Sequence, residues 1–197
     1  MKILAISDIE SPYLYEYFNK DNFKEVDLVL SAGDLNANYL SFIATVMSCP
    51  VLYIHGNHDK RLIQTPPGGC IDIDDLIYTY KGLRIAGIGG CMRYTGGPFQ
   101  FTEREMAKRL RRNRFKYRKG FDLLLTHSPA YGLGDGEDQA HIGFKCFIDL
   151  LEKYKPKTMI HGHQHLNYSR GNREILFGQT KIINAYGYAI IDLEIPL

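Results

Sequence analysis

Five apolar runs in this chain, each the length of a strand, stop at residues that bind protons or cations. Residues 2–7 lead into Asp8 and Glu10, and residues 27–32 into Asp34. Residues 51–55 lead into Asn57, His58 and Asp59, residues 121–126 into His127, and residues 158–161 into His163 and His165. No other feature restricts the fold as strongly. Short unbroken apolar runs read as buried strands, which belong to sheets covered by helices. In open α/β sheets, ligand sites form beyond the carboxyl ends of the strands. Carboxylate, amide oxygen and imidazole at five such ends are the donor set for Mn, Fe, Zn or Mg.

The rest of the chain agrees with a layered α/β domain. Further strand-like runs lie at 83–88, 181–184 and 188–193. Leu40, Ile43, Ala44 and Met47 recur at helical spacing ahead of Pro50, and Phe144, Phe147, Ile148 and Leu151 do so ahead of Pro156. Thr102-Glu103-Arg104-Glu105 has the form of a capping box opening a third helix into Met106 and Leu110. Stretches 66–74 and 89–100, rich in Gly and Pro, read as loops. Early βαβ alternation and a strand-dominated end predict mixed sheets in one domain over 1–197.

Bulk charge narrows the partners. The formal net charge of +2 gives no general attraction to nucleic acid or membrane, so any such partner needs a local patch. The four cysteines are widely separated and form no C-x-x-C pair, which suits reduced thiols in the cytoplasm. Asp8 interrupts the first apolar run too early for a signal peptide, and no run nears the roughly 18 residues of a membrane span.

In order and spacing, Asp8-Ile9-Glu10, Gly33-Asp34, Gly56-Asn57-His58-Asp59, His127 and Gly162-His163-Gln164-His165 resemble the calcineurin-like metallophosphoesterases. The stretch THSPAYGLGDGEDQAHIG resembles the small phosphodiesterase-like members. The resemblance implies a four-layer α/β/β/α sandwich of two mixed sheets, with a dinuclear metal site at the strand carboxyl ends. It assigns one ion to Asp8, Glu10, Asp34 and His165, and the other to Asp34, Asn57, His127 and His163. Mn²⁺ or Fe²⁺/Fe³⁺ is expected, with Zn²⁺ suited to the His-rich site. The implied reaction is phosphoester hydrolysis, of diesters rather than monoesters, by a metal-bridging hydroxide. His58 then serves as acid or charge stabiliser, and Asp59 orients it.

Glu10 departs from the family pattern, which has His at that position. As a ligand it adds a full negative charge to the centre, so bound water is acidified less. This predicts an oxygen-loving ion such as Mn²⁺ at the first site and an alkaline pH optimum. The competing arrangement turns Glu10 to solvent and leaves the first site weak.

Other residues complete the expectations. His55 and His161 read as structural. His141, in a Gly- and Asp-rich loop, and Arg93, in the loop GIGGCMRYTGG, are candidates for binding substrate. That loop lacks the Gly-Lys-[Ser/Thr] ending of a P-loop. The basic segment 103–120 interleaves Phe115 and Tyr117, the ingredients of nucleic-acid binding, and supports an alternative nuclease reading. The first alternative, ahead of the nuclease, is a non-catalytic interaction scaffold with a degenerate first metal site.

Overall fold

The structure, a computed structural model, describes residues 1–166 and 173–194. In chain order the strands and helices are β1 (Lys2–Ser7), β2 (Leu28–Ser31), α1 (Ala37–Val46), β3 (Val51–Tyr53), β4 (Cys70–Asp72), β5 (Ile77–Tyr80) and β6 (Leu83–Ile88). They continue with β7 (Cys91–Met92), β8 (Gln100–Phe101), α2 (Glu103–Asn113), β9 (Leu123–Thr126), α3 (Lys145–Tyr154), β10 (Thr158–His161), β11 (Glu174–Phe177), β12 (Thr180–Asn184) and β13 (Gly187–Asp192).

Two mixed sheets form, in the orders β13-β1-β2-β3-β4 and β11-β12-β10-β9-β6-β5. In the first, β1 to β4 run parallel and β13 is antiparallel to β1. In the second, β6, β9, β10 and β12 run parallel between the antiparallel edge strands β5 and β11. The strand period of two divides each apolar run between two cores. Ile3 and Ala5 of β1 join Leu28, Leu30, Leu123, Leu125 and Ile160 between the sheets. Leu4 and Ile6 face outward onto Tyr39, Leu40 and Ile43 of α1. The outer face of the second sheet, with Ala86, Leu124 and Met159, packs on Met106 and Leu110 of α2 and Phe147 and Leu151 of α3. The result is the expected α/β/β/α sandwich, in which each fully buried Leu or Ile contributes about 1.5–3 kcal/mol.

The helix signals act as written. Thr102 Oγ1 accepts from Glu105 N–H at 3.3 Å, and Thr102 N–H donates to Glu105 Oε2 at 2.8 Å, closing the capping box of α2. Lys155, in the left-handed conformation (φ 47°), ends α3 just before Pro156. In the basic segment, Tyr117 is buried and Phe115 is exposed with the Arg114 guanidinium over its ring. Arg109 turns inward, with Nε at 2.9 Å from Asp75 Oδ1, Nη1 at 2.7 Å from Gly89 O, and Nη2 on Asp74.

Both expected loops carry short strands: β4 lies in 66–74, and 89–100 contains β7 and the start of β8. These two- and three-residue pairings are too short to leave a periodic pattern. Among the described residues no helix is long and apolar enough to cross a membrane.

Candidate metal centre

The parallel strands of both sheets deliver their carboxyl ends to one shared edge. Asp8 follows β1, Asp34 follows β2, the Gly56–Asp59 turn follows β3, His127 follows β9, and His163 follows β10. Asp8, Asp34 and His163 are all left-handed, with φ of 65°, 58° and 66°. Such backbones cost about 1–3 kcal/mol each and persist where their surroundings over-determine them.

Here hydrogen bonds between the turns do so. The Asp8 carboxylate accepts the His163 N–H at 2.9 and 3.0 Å. Asp34 Oδ1 accepts the His58 N–H at 2.7 Å. Asp59 Oδ2 accepts both the Asp34 N–H at 2.8 Å and the Gly56 N–H at 2.7 Å. The glycines that open GNHD and GHQH have a matching cause. A Cβ on Gly56 would overlap the Asp34 carboxylate, and one on Gly162 would press at 2.6 Å on Asp8 Oδ2. Each motif glycine thus makes room for an aspartate from another strand.

The outcome is a four-residue group in which the ligand atoms of Asp8, Asp34, His127 and His163 all lie within 4.8 Å of one another. His127 is fully buried, with Nδ1 at 2.7 Å from Ala32 O and Nε2 at 2.9 Å from Asn57 Oδ1 and 3.4 Å from Asp34 Oδ2. Burial pulls its pKa down, but the Asp34 charge and hydrogen bond outweigh this and raise it to about 9. Burial works against the Asp34 carboxylate too, yet His127 and the His58 N–H hold it at about 2. Burial, then the His127 charge, lowers His163 to about 3. Its Nε2–H donates to Ala140 O at 2.7 Å, which leaves Nδ1 for the group.

These residues fit a divalent ion. Two carboxylates and two imidazoles, each with one nitrogen on a backbone carbonyl, lie together, and the Asn57 oxygen is 2.9 Å from His127 Nε2. A cation at these donors competes with the proton that the Asp34 charge favours on His127. Ion binding at neutral pH is therefore expected to release about one proton per chain from His127. Calorimetric titration in buffers of different ionisation enthalpy measures this, and an enthalpy independent of buffer would contradict it.

The sequence profile of the calcineurin-like phosphoesterases matches residues 1–167. The chain belongs to that family. Members are metal-dependent phosphoester hydrolases, in keeping with the gathered donors. Among solved structures, this phosphoesterase is similar to TT1561 of Thermus thermophilus at 15% identity and TM-score 0.65, covering 97% of this chain and 93% of that one. It is also similar to a protein described as a novel archaeal phosphodiesterase, at 13% identity and TM-score 0.48, over 98% and 93% of the two chains. No curated protein matches the sequence.

Around the four-residue group, the phosphoesterase has a cavity of about 420 Å³, whose lining includes Asn57, His58, Tyr94, His141 and His165. His58 and His165 are exposed at it, and the His165 ring lies 4.9 Å from Tyr186. His141 Nδ1 sits 2.8 Å from Asp138 Oδ2, with its ring 5.0 Å from that of His163. Glu10 is exposed and does not line the cavity. Next to it, the Ser11 N–H donates to the Tyr39 hydroxyl at 3.4 Å, so the chain leaves the cavity towards α1.

Two expected roles are placed differently. The hydrogen bonds of Asp59 go to the backbone of Asp34 and Gly56, so it braces the turns rather than the His58 ring. Arg93 pairs with Glu105 at 2.9 Å and lies outside the cavity lining. Its neighbour Tyr94 takes the place in the wall, its hydroxyl accepting from Asn57 Nδ2 at 3.0 Å. Sequence reasoning missed Tyr94, which follows the strand β7 in a loop without periodicity. His55 stacks on Phe99 at 4.4 Å and bonds Asp74 at 3.2 Å, a structural role as expected.

Proposed function

We propose that this phosphoesterase hydrolyses phosphodiesters with two divalent ions, Mn²⁺ or iron, and Zn²⁺ as a further fit at the His-rich side. The observation that carries the reading is the convergence of Asp8, Asp34, His127 and His163 within 4.8 Å, beside the exposed His58. Asp34, Asn57, His127 and His163 would hold one ion, and Asp8, Asp34 and His165 the other, with Glu10 as its fourth group. Such ions polarise phosphoryl oxygens and lower the pKa of bound water towards 7. His58 delivers a proton to the departing oxygen, or stabilises charge on it. His141, oriented by Asp138, meets a phosphate oxygen. The four free thiols support a reducing compartment, the cytoplasm.

The position of Glu10 favours a second reading with one ion. Its side chain lies outside the cavity, so the first site has three protein groups. The test is bis(p-nitrophenyl) phosphate turnover by chelator-stripped protein refilled with Mn²⁺, with bound ions counted by elemental analysis. Turnover that needs two ions per chain upholds the dinuclear reading, and full turnover with one ion replaces it. No turnover under any refilling overturns the hydrolase assignment of this site.

A further inference from the structure

A second cavity opens on the other side of His58. It measures about 570 Å³ and shares Asp34 and His58 with the ion cavity. His58 is therefore common to the walls of both cavities.

Both walls of this second space grow from the motifs. Beyond GNHD the chain makes a short 3₁₀ turn, Asp59–Ile63, which buries Leu62 and brings Arg61, Gln64 and Thr65 to the cavity. The facing wall is the entry to α1, with Asn36 and Asn38. Its two acids are already engaged. Asp34 holds the His58 N–H and the ion group, and Asp59 holds two backbone N–H groups.

The donors are not. Among the described residues, the arginine ion pairs belong to Arg93 and Arg109, and Arg61 has none. Asn36 uses its oxygen on the Asn38 N–H at 2.8 Å, which leaves its NH₂ free. An unpaired guanidinium in a cavity that Asn36, Asn38 and Gln64 also line selects an anion with several acceptor oxygens. Arginine matches phosphate with two parallel N–H···O bonds, and a neutral alcohol would leave that charge facing water alone.

We propose that this cavity is a subsite for a second phosphate, so that the preferred substrates are diesters whose leaving alcohol itself carries a phosphate. The inference rests on the phosphodiesterase reading of the ion cavity. In the reaction, water oxygen bonds to the inner phosphorus and gives up a proton to solvent, from which His58 is later reprotonated, and the P–O bond to the leaving alcohol breaks. That alcohol takes a proton from His58, and the outer phosphate on Arg61 is unchanged.

The experiment compares thymidylyl-thymidine with its two singly end-phosphorylated forms, using Mn²⁺-loaded protein. One phosphorylated form is expected to exceed the plain dinucleotide in kcat/KM by about tenfold or more. In Arg61→Ala this ratio falls to near unity, and Arg61→Lys restores part of it. Equal rates in the native protein, or a ratio that survives Arg61→Ala, overturn the subsite. A separate titration with thymidine 3′,5′-bisphosphate reads binding without turnover. Affinity about tenfold weaker in Arg61→Ala supports the subsite even if no dinucleotide is cleaved, in which case the diesterase reading fails alone. Unchanged affinity, or no binding, overturns the subsite whatever the turnover.

Discussion

Replacing His58 by Ala is expected to lower kcat on an alkyl diester such as thymidylyl-thymidine by about 10²–10⁴-fold, the range of general acid catalysis. Ion binding should survive the change. The His58 ring is outside the four-residue group, and its link to Asp34 runs through a backbone N–H that alanine keeps. Substrate choice sharpens the result. p-Nitrophenolate departs with little help from a proton, so the loss on bis(p-nitrophenyl) phosphate should be much smaller. Parallel kcat measurements on the two esters, with ion content determined for both proteins, decide the matter. Equal losses would make His58 a stabiliser of phosphoryl charge rather than an acid.

Arg109→Ala is expected to cost about 3–5 kcal/mol, the usual consequence of stripping the partner from a buried carboxylate. Asp74 and Arg109 are both largely buried, and Arg109 also joins Asp75 and Gly89 O. Burial alone would raise the Asp74 carboxyl, but His55, Arg109 and the Gly89 N–H hold it below its ordinary value. Its stabilisation is therefore complete above the unfolded carboxyl's pKa, near 4, and lost as pH falls through the lower folded value. Urea unfolding at neutral pH should show the deficit, and the gap between native and variant should narrow in acid. A variant within about 1 kcal/mol of the native protein, the worth of an exposed pair, would show that Asp74 finds other compensation.

The parts of the fold that could be read from sequence are those buried on both faces. β1, β6 and β10 match their apolar runs end for end because central parallel strands need apolar residues at every position. The edge strand β11 alternates between exposed and half-buried residues, β5 has no buried residue, and β4 is three residues long. Nothing in composition separates such segments from loops. The site divides in a similar way. Asp8, Asp34, His127 and His163 announce themselves because each ends a strand whose direction is set by the core. Glu10, Arg93 and Tyr94 lie in turns, where a side chain's destination depends on tertiary neighbours. The tie from Asp59 to two backbone N–H groups leaves no trace in residue types at all.

The ligand group takes Asp8 and Asp34 from one sheet and His127 and His163 from the other. A cation held there is a rivet through the sandwich, and the sheets cannot part without letting it go. By mass action, free ion at a hundred times its dissociation constant adds about 2.7 kcal/mol against unfolding. Ion supply therefore sets how long the folded chain lasts as well as how fast it turns over, and starvation for the ion weakens both together.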